Sequence, residues 1–291
     1  MSDAIGNVQD FTREQSMEAG IVVLEEAARR PQRSRLAEPI SALRAWPQIR
    51  KRLRAASSVA LFLDFDGTLV GLEERPEQVS LPDNVSRLLF RLSRRKNLTV
   101  VIASGRRVRD LKRLIGLRHL RYFGVHGAER GGRLLSIPKV TRAALRESHR
   151  VMVRDVMPLR GVWVEPKGVS FAIHYRGADA ESAMRGGQAL GRAIRGFENQ
   201  LRVLKGKEVW EVLPRQVVGK SAIVKEVMEG MPENSMAVYI GDDETDEAAF
   251  RALPDQITIA VGKRPDTEAR YSLSSPSSVF RFLSRLEEEL P

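Results

Sequence analysis

The sequence predicts an α/β fold: a parallel sheet covered by helices on both faces, with an inserted α/β cap and an N-terminal helical extension. Three observations predict it. Apolar runs alternate with amphipathic stretches from Val59 to about Gly124 and again after Lys220. Polar clusters stand directly after three of those runs: Asp64 and Asp66, Ser104 and Arg106, Asp242 and Asp243. Between about 138 and 213 the alternation breaks into helix, two strands, helix, two strands. Four segments follow: an extension over 1–56, a core over 57–137, a cap over 138–213, and the rest of the core over 214–291.

Residues 1–13 carry no periodicity. From Glu14 to Arg30, Met17, Ile21, Leu24 and Ala28 recur at three and four, which predicts an amphipathic helix ended by Pro31. Ile40, Leu43 and Trp46 suggest a second short helix closed by Pro47, and Ile49 with Leu53 a third. Arginines 44, 50, 52 and 54 crowd these helices, which pack on the core, dimerise or meet a partner.

Val59-Ala60-Leu61-Phe62-Leu63 is the strand on which the rest depends. An unbroken apolar run reads as a strand buried on both faces of a parallel sheet. Charge at its end belongs to a site, because ligands of open α/β sheets lie beyond the carboxyl ends of the strands. Asp64 and Asp66, two apart, leave the same face in extended backbone. Such a pair calls for a shared cation or proton. Gly67 lets the chain turn where a Cβ would clash.

Pro82-Asp83 introduces a helix with Val85, Leu88, Leu89 and Leu92 on its inner face. Leu98–Ala103 is the next buried strand and delivers Ser104-Gly105-Arg106, where a hydroxyl and the amides of a helix start can cradle phosphate. Val108, Leu111 and Leu114 mark the following helix, capped by Gly116. Tyr122–Val125 is a third strand, ending at His126, which could touch substrate but is expected to hydrogen-bond backbone. In the cap, a helix over about 141–156 precedes a hairpin turning at Pro166-Lys167-Gly168. A helix over about 180–197 precedes a hairpin around Lys205-Gly206-Lys207. Lys220 then opens a helix with Ile223, Val224 and Val227 inward. Met236–Ile240 is a buried strand ending in Gly241-Asp242-Asp243, and Asp246 sits in the next helix's first turn, where negative charge suits the dipole. Ile257–Gly262 is the last clear strand, and Pro276 begins a closing helix carrying Val279, Leu283, Leu286 and Leu290.

Composition narrows the function. A chain of 291 residues, 42% apolar and 29% charged, is an ordinary soluble globular protein with a sizeable core. It has no cysteine, so neither disulfides nor thiolate metal sites arise. No apolar run reaches membrane-span length and the N-terminus lacks a secretory signal, so a cytoplasmic address is expected. The net charge of +11 comes from arginines scattered along the chain. No zinc-finger spacing or RNA-binding aromatic motif accompanies them, so an anionic metabolite fits better than nucleic acid or a membrane.

Asp64-Phe65-Asp66-Gly67-Thr68 resembles the first motif of the haloacid-dehalogenase-like phosphatases. Ser104-Gly105-Arg106, Lys220 and Gly241-Asp242-Asp243-Glu244-Thr245-Asp246 match the later motifs in the family's order. With Val164-Glu165-Pro166-Lys167 between them, the set is similar to the trehalose-6-phosphate phosphatases of that superfamily, over about residues 59–290. The resemblance implies a Rossmann-like haloacid-dehalogenase core and a phosphoric monoester hydrolase acting on trehalose 6-phosphate, the last step of trehalose biosynthesis.

It also implies roles. Asp64 would be the nucleophile, forming an aspartyl-phosphate, and Asp66 the acid and then base. A magnesium ion would be held by Asp64, the backbone carbonyl of Asp66 and Asp242, with Asp243 helping; an all-oxygen site suits that hard cation. Thr68, Ser104 and Lys220 would bind phosphate, with Arg106 a further contact. Glu165, Lys167 and Glu211 match sugar-binding positions, with His174, Arg176 and Lys205 behind them. Alternatives are a phosphatase of another sugar phosphate, such as sucrose 6-phosphate or mannosyl-3-phosphoglycerate, and a non-catalytic phosphosugar-binding regulator of a synthase. A trehalose-phosphate synthase partner and a homo-oligomer stay open.

Overall fold

Alternate residues of one strand build two separate cores. In the computed structural model, which describes residues 38–73 and 75–290, strand β2 (Val59–Leu63) is buried along its whole length. Its Val59, Leu61 and Leu63 join one apolar cluster, and its Ala60 and Phe62 join another. Neighbours β3 (Leu98–Ala103) and β11 (Met236–Gly241) divide in the same way. A strand with period-two side chains and no polar face must be covered twice. Helices α1 (Trp46–Ala55), α2 (Asp83–Ser93), α3 (Val108–Ile115) and α8 (Pro276–Glu289) cover the first face, and α6 (Lys220–Glu229) and α7 (Glu244–Arg251) the second.

The main sheet has nine strands among the described residues, in the order β1-β13-β12-β11-β2-β3-β4-β5-β6. Here β1 is Ile40–Ser41, β4 Arg121–Gly124, β5 Glu129–Arg130, β6 Arg133–Leu134, β12 Ile257–Val261 and β13 Tyr271–Leu273. All pairs from β1 to β4 are parallel, and β5 and β6 add an antiparallel edge. The parallel ladders place Asp64, Ser104 and Asp242 at carboxyl ends of three adjacent strands.

Two expectations give way here. Ile40 belongs to a strand paired with β13, not to a helix. The two short helices expected around Trp46 and Ile49 are the single helix α1, with Pro47 in its first turn. Proline at that position loses no hydrogen bond, so it starts the helix where an interior proline would have broken it. Ile49 and Leu53 of α1 are buried in the first cluster. The helix expected over 14–30 lies outside the described residues.

The cap is a second antiparallel sheet, β7-β8-β10-β9, formed by Trp163–Pro166, Phe171–His174, Val209–Pro214 and Leu201–Gly206. Phe171, Ile173, Trp210 and Val212 lie on one face and pack with helices α4 (Lys139–Val156) and α5 (Ala180–Ile194). The opposite alternation carries Glu165, Ala172 and Glu211 in one row across three strands. A small apolar cluster seats the cap on the core: Val125 and Ala128 from the core, Val169, and Ile137 and Leu213 with Val217 where the chain enters and leaves. No helix among the described residues is long and apolar enough to cross a membrane.

Candidate active site

Strand β2 ends where its ladder with β11 still holds: the Asp64 N–H donates to Ile240 O at 3.0 Å. The backbone therefore fixes Asp64 beside Asp242. Lys220, at the start of α6, donates to Asp64 Oδ1 at 3.0 Å and to Asp246 Oδ1 at 2.6 Å. Tyr239 adds its hydroxyl to Asp246 Oδ1 at 2.8 Å, and the Asp243 N–H donates to Asp246 Oδ2 at 3.0 Å. Asp246 is wholly buried, and it holds the lysine against Asp64. Its position in the first turn of α7 suggests a dipole partner only, whereas the N-cap-to-N3 spacing from Asp243 is the signal that could have found it.

Burial pushes the Asp64 carboxyl well above its ordinary range; Lys220 pulls it down, and Asp246 and Asp242 push it further up. Asp242 is raised for the same first reason, against the pull of Lys207. For Lys220, burial works against the charge, but Asp246 and Asp64 outweigh it and raise the ammonium's pKa. Three buried carboxylates thus face two ammonium groups. That imbalance fits a hard cation, and so does the geometry: carboxylate oxygens of Asp64, Asp242 and Asp246 lie within 4.8 Å of one another. Asp242 Oδ1 is buried without a hydrogen-bond partner among the described residues. Gly67, with φ +76°, leaves room at the same place, since a Cβ there would lie 2.2 Å from Asp242 Oδ2.

Asp66 and Arg106 form a two-pronged pair, Nε to Oδ2 at 2.7 Å and Nη2 to Oδ1 at 2.8 Å. Arg106, expected to meet substrate, is thus held on a carboxylate expected to move protons. Ser104 is buried in the cleft wall, its Oγ accepting from the Arg106 N–H at 3.2 Å. Asp243 lines the cleft, and its Oδ2 accepts from the Thr245 hydroxyl at 3.3 Å. Thr68 is not brought to the cleft wall; its hydroxyl is buried with no partner among the described residues.

The cleft, about 940 Å³ including space open to solvent, is closed from above by the cap sheet. Glu165, Lys167, His174, Arg176 and Glu211 all line it. Lys167 and Glu211 are buried and paired at 3.0 Å. Glu211 also accepts from Ser170 at 2.9 Å and meets His126 Nε2 at 3.1 Å, while Lys167 donates to Gly105 O at 3.1 Å. Burial opposes the Glu211 charge, yet Lys167 and His126 hold its carboxyl far below the usual range. Glu165 is more open, 28% exposed, with its pKa lowered against burial by the His174 hydrogen bond and Lys167.

Several site residues do not stand out in the sequence. His126 meets a side chain, not backbone, because Val125 and His126 both take left-handed backbone (φ 51° and 52°) and turn the ring toward the cap. A valine there is strained, and nothing in the local sequence announces it. Lys207, at the tip of the second cap hairpin, reaches Asp242 Oδ2. Arg264 donates to the Asp242 carbonyl at 2.8 Å and to Glu247 at 3.0 Å, bracing the loop from behind. These contacts cross between distant segments, so no spacing rule exposes them.

A family model for trehalose-phosphatase matches residues 62–278. The trehalose-phosphate phosphatase of Mycobacterium tuberculosis is 32% identical over 256 residues, covering 81% of this chain and 63% of the relative. The chain therefore spans less than two thirds of that relative's length. Among solved structures, the C-terminal domain of Candida albicans trehalose-6-phosphate phosphatase shares the fold, with TM-score 0.72 at 23% identity over 88% of this chain and 99% of that one. The Aspergillus fumigatus trehalose-6-phosphate phosphatase gives 0.60 at 25% identity, over 87% and 99%. The match runs from β2 into α8 and takes in every motif that reaches the cleft, and on that ground the chain belongs to the trehalose-phosphatase family.

Proposed function

We propose that the protein is a metal-dependent phosphatase that hydrolyses trehalose 6-phosphate to trehalose and phosphate through an aspartyl-phosphate on Asp64. One observation carries this reading. The carboxylate and lysine cluster of the core and the polar face of the cap, Glu165 with Lys167 and Glu211, line one cleft. Phosphate chemistry and hydroxyl recognition thus share a space. Family membership and the names of the relatives support the activity and the sugar.

Lys220 occupies Asp64 Oδ1, so Oδ2 is the atom left to attack phosphorus. Lys220 and Ser104 would hold the phosphoryl oxygens as the bond to the sugar oxygen breaks. Asp66 gives a proton to that oxygen and later takes one from the water that hydrolyses the aspartyl-phosphate. For this Arg106 must release one of the two Asp66 oxygens, and the phosphate group offers it an alternative partner. A magnesium-type cation held by Asp64, Asp242 and the Asp66 carbonyl, with Asp243 or Asp246 alongside, would neutralise charge on the phosphoryl group. Glu165 is more open than Glu211 and is the first candidate to accept a sugar hydroxyl.

The test is phosphate release from trehalose 6-phosphate, sucrose 6-phosphate, mannosyl-3-phosphoglycerate and p-nitrophenyl phosphate, each with and without magnesium. Trehalose 6-phosphate should lead in kcat/KM. Preference for another sugar phosphate moves the reading to that ester. Release from none of them, in folded protein that binds magnesium, would make the chain a phosphosugar-binding regulator.

A further inference from the structure

Trp163 is a large aromatic side chain at the edge of the cap sheet, and it belongs to none of the motifs. It stands on β7 directly opposite His174 of β8 and, two residues before Glu165, on the same face of the strand. The indole and the imidazole lie stacked, ring centroids 4.0 Å apart and planes inclined by 12°. His174 Nε2 in turn meets Glu165 Oε2 at 2.9 Å, the diagonal neighbour in the sheet. Glu165 Oε2 also faces Lys167 at 3.8 Å. Oε1 has no hydrogen bond among the described residues, and Glu165 and His174 both line the cleft. Trp163 does not line it, so it acts through its neighbours.

We propose that Trp163 is a positioning residue for substrate selectivity: its indole clamps the His174 ring, which fixes Glu165 Oε2 and presents Oε1 to a hydroxyl of the sugar. Cross-strand aromatic pairs hold each other's rotamers. A carboxylate held in one orientation loses little freedom when it binds, so the clamp contributes to affinity without touching the ligand. The phosphoryl machinery sits on the core and does not need it. This inference rests on the proposed sugar-phosphate reading.

The experiment compares Trp163→Leu, which removes the flat ring, with Trp163→Phe, which keeps one, on trehalose 6-phosphate and on p-nitrophenyl phosphate. Trp163→Leu should raise KM for the sugar phosphate about tenfold, the scale of one lost hydrogen bond to a charged group, with kcat nearly unchanged. Turnover of p-nitrophenyl phosphate should stay within about twofold, and Trp163→Phe should recover most of the affinity. In the unmutated protein the carbon-bound ring protons of His174 should resonate upfield, shifted by the indole; this arm stands even if Trp163→Leu fails to fold. Unshifted protons, an unchanged sugar KM in a sugar-selective enzyme, or equal losses on both substrates overturn the inference alone. An unmutated protein that treats no sugar phosphate better than p-nitrophenyl phosphate overturns the sugar reading, and this inference with it.

Discussion

Asp64 is kept at a cost to the fold. Burial raises its folded pKa well above the value of 3.8, so between the two values the folded state binds more protons than the unfolded one. Stability then falls as pH rises through that window, and the ionised group is a burden above it. With Asp64 as the proposed nucleophile, Asp64→Asn should lose turnover by ~10³-fold or more. The same variant should melt higher than the unmodified protein in chelator at neutral pH, the gain shrinking toward acid. A lower melting temperature would show that Lys220 depends on the Asp64 charge more than burial penalises it. Asp64 was legible because a charge closing an apolar strand is too costly to bury without a site to face. Asp246 was half legible: its motif and its neighbour Asp243 were visible, but its other two partners are Lys220 on a distant helix and Tyr239 inside a strand. The Asp66–Arg106 pair joins two recognised residues whose contact no spacing predicts.

At the scale of elements, the cap sheet divides its work between two glutamates. Glu165 is partly open, whereas Glu211 accepts from Ser170 and pairs with Lys167 and His126 in a buried cluster. Glu165→Ala should raise the KM for trehalose 6-phosphate roughly ten- to a hundredfold, the cost of one or two charged hydrogen bonds, and spare p-nitrophenyl phosphate. Glu211→Ala should behave differently, because it strands a buried lysine, at ~3–5 kcal/mol. Both substrates should then suffer and the melting temperature should drop. Since the folded pKa of Glu211 is depressed from 4.5, the stabilisation is present above that value and is lost only as pH falls below it. Urea midpoints of the unmodified protein and Glu211→Gln should differ by a constant amount from neutrality down to about pH 5; convergence already at pH 6 would contradict the assignment. The hairpins themselves were legible from period-two alternation and their glycine turns. Strands β1, β5, β6 and β13, two or three residues long, were not, since so short a stretch carries no period.

The whole molecule is tied together by segments remote in sequence. Strand β1 pairs with β13 near the other end of the chain, and α1 buries Ile49 and Leu53 against the core. Removing residues 38–55, beyond a truncation of the first 37, should cost several kcal/mol, ~1.5–3 for each large apolar side chain released. Comparison of the two truncations by thermal melting tests this, and equal midpoints would mean that the extension only rests on the surface. The proposed metal dependence is also tested on the assembled molecule. Chelator-treated protein should be inactive, regain activity with magnesium and be inhibited by calcium, whose longer bonds and higher coordination displace Asp64. Full activity without metal would remove the role given to Asp242. The ladder between β2 and β11 has one more consequence, for the chain during its own synthesis. Asp64 leaves the ribosome early, but strand β11 on one side of it, Lys220 and Asp242 follow only after the whole cap. A nascent chain therefore carries Asp64 for most of translation on a half-built sheet, and the cleft can first assemble only when β11 has emerged.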